Sequence, residues 1–319
     1  MARALHLIVG LFLATVTVTA TAGEQPYKAP RNALDQPVLE GVWSYNSLTR
    51  LERPDAYPSV VITEAQARSI RPLPMIAPDA VGQAETETYD PEGLEIGRIG
   101  DQYRAAWIVD PPDGRLPYTP EGRARARKPF TFANPEERSN QERCLVFPAL
   151  GPPLVSGLYN NHLQILQTKD HLVIFFEQGS EVRIIPVGEA PRGGVRRWMG
   201  ETTGHWEGEA FVMRTTNFWP TQSLRSFPLA VVYLSQDAVV TERLQRISAK
   251  QILYSYTVSD PANYTRPWRG EMPFNATQAA MYENACHEGN YSLPNILSGA
   301  RVEESAAAAA KTDGGGLRK

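Results

Sequence analysis

Residues 282 to 291 read YENACHEGNY and set Cys286, His287 and Glu288 side by side. A thiol, an imidazole and a carboxylate in one run can be a reactive centre, a metal site or one end of a covalent staple. The chain has two cysteines, and in an oxidising compartment Cys144 and Cys286 form a candidate pair. Such a bridge closes a loop of roughly 140 residues, which the chain-entropy model values at about 4 to 5 kcal/mol. Two buried free thiols are the competing reading. A staple at Cys286 would hold the backbone of His287 rigid beside Glu288, so that the imidazole could move protons; a histidine that caps a loop is the plainer role.

Carboxylates and arginines inside apolar runs are the other source of chemistry. Glu177 ends HLVIFFE and Arg183 lies within EVRIIPV, so a short turn between them could bring the two face to face. Glu242 and Arg243 interrupt AVVTERLQRI, and because neighbours on a strand point to opposite faces, only one of them can look inward. A carboxylate in an apolar lumen has a raised pKa and can serve as a general acid or base, whereas one on the wet face of a sheet is an ordinary charge pair. Glu177, Arg183, Glu242 and His287 are therefore the candidate catalytic residues. Trp198, Trp206, Tyr254 and Tyr256, with Gln164 and Arg243, are the candidate ligand contacts, since aromatic walls line pockets as well as filling cores.

Other chemistries find no pattern. His162, His171, His205 and His287 form no H-x-H, H-E-x-x-H or paired-cysteine spacing, so no metal is expected. There is no G-x-S-x-G elbow, and Gly193-Gly194 and the glycines of 200–208 match no phosphate or dinucleotide loop. No cofactor is expected.

The ends of the chain bear on location. MARALHLIVGLFLATVTVTA followed by Thr21-Ala22 has one basic residue, an apolar run and small residues at a signal-peptidase spacing, so residues 1–22 read as an export signal. No later run reaches membrane-spanning length, and stable insertion after cleavage is not expected. Loss of the signal takes away one of 32 basic residues and leaves 31 against 35 acidic, a formal charge of −4. That balance offers no footprint for nucleic acid. The exception, GRARARK at 122–128, reads as a solvated helix face. Residues 304–319, rich in alanine and glycine without apolar periodicity, read as a disordered tail, which leaves residues 23–303 as a single domain.

Within that domain the first third, to about residue 156, is loop-rich with short helices. Thr63 with Gln66 spells a capping box, and Thr119-Pro120 and Asn134-Pro135 each put a cap before proline. AAWIVDPPDG reads as a strand entering a turn. From residue 157 short β-branched and aromatic runs follow one another, from HLQILQ through HLVIFFE and EVRIIPV to QILYSYTV, where Ile252, Tyr254, Tyr256 and Val258 share one face. The expected fold is mainly β: an antiparallel calycin- or lipocalin-like barrel or strongly curved sheet, with short helices in the N-terminal third.

GVWSYNSLTRLERP, WIVDPPDGRLPYTPEG, NNHLQILQ, RIIPVG, RWMGETTGHWEGEAFVMRTTNF, TERLQRI, DPANYTRPW and ACHEGNY together resemble a large family of exported bacterial proteins, most of them hypothetical. The resemblance runs over about residues 40 to 303. It implies a secreted or periplasmic, mainly β domain of lipocalin-like kind, and no activity. Members of that family carry a histidine where this chain has Ser180, so a mechanism built on that imidazole is not expected here.

The leading expectation is an exported barrel that binds a small apolar or amphipathic molecule in its interior. Two alternatives stand beside it: a cofactor-free isomerase, lyase or hydrolase working by proton transfer in the same barrel, and a structural or assembly partner with a filled core.

Overall fold

The computed structural model of the chain describes residues 27–70, 94–127, 132–147, 150–156, 159–188, 194–220 and 232–314. The expected export signal and residues 315–319 of the tail lie outside them. In chain order the strands are β1 (Gly41–Ser44), β2 (Val61–Ile62), β3 (Arg98–Ile99), β4 (Gln102–Arg104), β5 (Ile108–Asp110), β6 (His162–Gln167), β7 (His171–Phe176), β8 (Val182–Pro186), β9 (Glu201–Glu207), β10 (Ala210–Thr216), β11 (Val239–Ser248), β12 (Gln251–Ser259) and β13 (Trp268–Ala276). The helices are α1 (Glu64–Ser69), α2 (Pro120–Arg127) and α3 (Ser292–Gly314).

Nine of the strands form one antiparallel sheet in the order β8-β7-β6-β1-β13-β12-β11-β10-β9, with β5 joined to β13, while β2, β4 and β3 make a small sheet. The two ends of the long sheet meet, because a bridge between Val187 and Gly204 and a hydrogen bond from Gly188 N to Gly204 O (2.7 Å) tie the end of β8 to β9. The result is a nearly closed barrel with a seam between β8 and β9. Closure hides most strand edges.

Alternation explains which residues fill it. Along β12 buried residues alternate with half-buried ones, so Ile252, Tyr254, Tyr256 and Val258 face the interior as their spacing predicts. The register places Glu242 opposite Tyr256 and Leu244 opposite Tyr254 on β11, and Met213 opposite Glu242 on β10. Trp43, Leu163, Ile165, Ile174, Phe211 and Phe274 join them in one continuous core. Gly270 has a packing reason: a Cβ there would lie 2.3 Å from the Tyr256 ring, so the missing side chain leaves that ring its room. Gly208 sits at φ +60° in the turn from β9 to β10, a conformation glycine adopts freely.

Local end chemistry works as spelled in the sequence. Gln66 N donates to Thr63 Oγ1 (3.2 Å) while Thr63 N donates to Gln66 Oε1 (2.9 Å), which caps α1. Gly122 N donates to Thr119 Oγ1 (3.0 Å) at the start of α2. On that arginine-rich helix Arg125 reaches the buried Asn263 and Arg123 lies over the Tyr118 ring, so part of its charge is used in docking. The tail differs from expectation. Residues 304–314 belong to α3, a 23-residue helix exposed over most of its length. High alanine propensity explains a helix that has no apolar stripe.

Candidate functional site

Cys144 and Cys286 are joined (S–S 2.02 Å) over a separation of 142 residues. His287 and Glu288 are exposed in the turn just after the bridge. The staple reading of this run therefore holds, and neither side chain is aimed at the interior.

Glu177 and Arg183 do not meet, contrary to the pairing expected across their turn. Arg183 reaches across the barrel to Glu242, with Nη1 donating to Oε1 (3.0 Å) and Nη2 to Oε2 (2.6 Å), and Nη2 also approaches Thr202 Oγ1 (3.3 Å). The Tyr254 hydroxyl donates to Glu242 Oε1 (2.8 Å) and accepts from Leu154 N (2.8 Å). Both ions are buried. Desolvation alone would make the Arg183 guanidinium easier to deprotonate, but the Glu242 carboxylate overcomes it and fixes the charge. Burial, reinforced by Glu242, pushes the Tyr254 hydroxyl well up, so it stays protonated. The neighbouring Arg243 points outward to Glu207 (3.1 Å), which answers which of the two faces inward.

Glu177 has a different partner, which the sequence reading did not single out. Its Oε2 lies 2.8 Å from His162 Nδ1, and its Oε1 accepts from Tyr282 N (3.0 Å). The carboxylate is buried and the imidazole is one-fifth exposed. A signal for this was present: Leu163 pairs with Phe176 across the β6–β7 hairpin, so the next step outward brings His162 opposite Glu177. Tyr282 belongs to the segment that follows β13 and carries Cys286, so the bridge helps hold the dyad.

The larger of the two cavities described is a cleft of about 690 Å³ along the β8–β9 seam. Val146, Ile185, Trp198 and Met199 give it apolar wall, and Arg183 and Thr202 bring it to the edge of the interior polar cluster. Of the expected ligand contacts only Trp198 borders it. Tyr254 and Tyr256 are core residues, and Trp206 packs edge-on against Phe211 at 5.1 Å. Gln164 lies half-buried in β6, on the face opposite to Leu163 and Ile165. A second cavity of about 460 Å³ lies between the barrel and the small sheet, lined by Ser44, Asn46, Gln251 and Asn275 on one side and Gly97, Arg98 and Tyr103 on the other.

Among the described residues no three histidine, cysteine, aspartate or glutamate side chains are grouped to hold an ion. No described helix is long and apolar enough to cross a membrane. No protein-family model matches the chain, and no curated protein or solved structure matches it. The fold and site define a disulfide-stapled, nearly closed antiparallel β barrel with a cleft along its seam.

Proposed function

We propose that this is an exported protein, periplasmic or secreted, that binds a small amphipathic molecule in the seam cleft. The carrying observation is the cleft itself, about 690 Å³ with aromatic and aliphatic wall on one part and Arg183 and Thr202 at its inner end. Pockets for small molecules have this volume, and here Val146, Ile185, Trp198 and Met199 supply apolar wall beside the charged Asp170, Glu181, Arg197 and Glu201, a mixture suited to an amphipathic ligand. The apolar body of the ligand would lie against Trp198 and Met199, and its polar end would point towards Thr202. The barrel centre is a poorer place, because Trp43, Tyr254, Phe211 and Phe274 already fill it. The disulfide supports a location in an oxidising compartment, and the resemblance to exported bacterial proteins agrees with it.

Native mass spectrometry of the gently purified protein tests the reading, together with titration by the amphipathic dye anilinonaphthalene sulfonate. A retained small molecule, displaced by the dye and lost in Met199→Trp, is the expected result. A protein that carries nothing and takes up dye equally with and without Met199→Trp would remove the cleft from consideration.

A further inference from the structure

A row of polar side chains crosses the outside of the barrel at one level. Gln251 of β12 is paired with Asn275 of β13, Asn275 with Ser44 of β1, and Ser44 with His162 of β6. Glu177, just past β7, completes the row beside His162, its N–H donating to His162 O (3.0 Å). Residues directly opposite on antiparallel strands point to the same face. Tyr45 N donates to Asn161 O (3.0 Å) one step along, so Ser44 and His162 occupy the non-hydrogen-bonded position, where side chains come closest.

Each end of the row orients the residue next to Ser44. The Glu177 carboxylate accepts at His162 Nδ1 (2.8 Å), which puts the proton on that nitrogen and leaves Nε2 as the basic one. At the other end Gln251 Nε2 donates to Asn275 Oδ1 (2.8 Å), which fixes the amide so that its Nδ2 hydrogens serve another acceptor. Ser44 thus stands between an oriented base and an oriented donor, and it borders the 460 Å³ cavity.

We propose that Ser44, His162 and Glu177 form a hydrolytic site for short-chain esters of polyhydroxy alcohols, with Asn275 as oxyanion donor. Ser44 Oγ would attack the ester carbonyl carbon while its proton passes to His162 Nε2. The carbonyl oxygen becomes an oxyanion held by Asn275 Nδ2. Collapse breaks the bond to the alkoxy oxygen, which leaves with the proton from His162, and the acyl group stays on Ser44. Water, deprotonated by His162 in the same way, then releases the carboxylic acid and restores the hydroxyl. Glu177 and Gln251 are positioning residues. In the present arrangement Ser44 Oγ accepts from Asn46 N (3.3 Å), so rotation about the Cα–Cβ bond forms the bond to His162 as the ester enters. The class of substrate follows from the cavity: Asn46, Asn275, Arg98 and Tyr103 offer hydroxyl partners, with little apolar wall for a long acyl chain.

The test needs no ligand identification. Diisopropyl fluorophosphate should give one covalent adduct on the full chain, mapped by peptide mass to Ser44, and Ser44→Ala should abolish it. His162→Gln should slow labelling at least about 100-fold, the range of general-base catalysis. Triacetin should be hydrolysed in a pH-stat and tricaprin should not. Glu177→Gln should slow labelling and change the imidazole ¹⁵N shifts of His162 from those of the Nδ1–H tautomer, a signature that lost stability alone would not give. No adduct on the unaltered protein, or an adduct elsewhere, overturns the proposal. The seam reading is judged by ligand retention and this one by the adduct on Ser44, so the two fail separately.

Discussion

The interior cluster and the outer row both place a carboxylate beside a basic side chain, and they differ in what is left over. Glu242 accepts from Arg183 twice and from Tyr254 once, and Tyr254 is itself engaged by Leu154 N, all within buried surroundings. Every strong partner there is another part of the protein. In the outer row Glu177 is held by two bonds, one of them to His162 Nδ1, and His162 is paired across the strands with Ser44, which borders a cavity. A saturated buried pair organises a core, whereas an oriented group with a spare position can act on something else. By that criterion the Glu242, Arg183 and Tyr254 cluster organises the core, and the proton chemistry we propose would sit on the other face of the sheet.

The largest effect expected from breaking this contrast is at the disulfide. A closed loop of 142 residues corresponds to about 5 kcal/mol in the chain-entropy model, so Cys144→Ser with Cys286→Ser should move the denaturant midpoint by that order. The bridge holds the segment that supplies Tyr282 N to Glu177 and does not touch Arg183 or Glu242. Reduction should therefore change the His162 imidazole resonances before the barrel melts. If the two change together, the regions are one cooperative unit and the contrast fails.

Next comes the interior pair. Glu242→Ala leaves Arg183 charged and unpartnered inside the barrel and should destabilise by about 3 to 5 kcal/mol, while Arg183→Met with Glu242→Met should fall within about 2 kcal/mol of the parent. Urea titration of the two variants checks both arms. A double variant as damaged as the single one would mean that the ion pair does more than satisfy itself. Tyr254→Phe is smaller again, about 1 to 3 kcal/mol, since it removes one bond to Glu242 and strands the buried Leu154 N–H.

How far the sequence foretold these sites depends on how local each one is. The β12 alternation, the capping box at Thr63 and the single inward residue of Glu242-Arg243 follow from periods of two or from neighbours three apart, and all appear in the structure. The partner of Arg183 is 59 residues away on a strand that faces it only because the sheet curls back on itself. Turn spacing suggested Glu177 instead, and nothing local could correct it. His162 was within reach, because counting outward from the β6–β7 turn lands it opposite Glu177. Ser44 was not, since β1 sits between β6 and β13, strands more than 100 residues later in the chain. Residues 304–314 show the opposite limit, where a segment with no apolar period still forms a helix on propensity alone.

The smallest effect sharpens the comparison at the anchor of the bridge. Burial would raise the Glu142 carboxyl, but hydrogen bonds from Arg138 (2.5 Å) and from the backbone and hydroxyl of Ser139 (3.0 and 2.9 Å) outweigh it and hold the group below the usual carboxylate range. A lowered folded-state pKa means that unfolding takes up a proton in acid. The stabilisation is complete above the ordinary value of 4.5 and is lost as the pH falls through the folded-state value beneath it. The side chain is about one-third exposed, so solvent screening keeps the contribution below about 1 kcal/mol. Denaturant midpoints followed through that acid range should fall less steeply in Glu142→Gln than in the parent. The difference should remain after the disulfide is reduced if Glu142 acts within its own turn. If it vanishes on reduction, Glu142 works by holding the bridge in place, and the anchor belongs with the outer row.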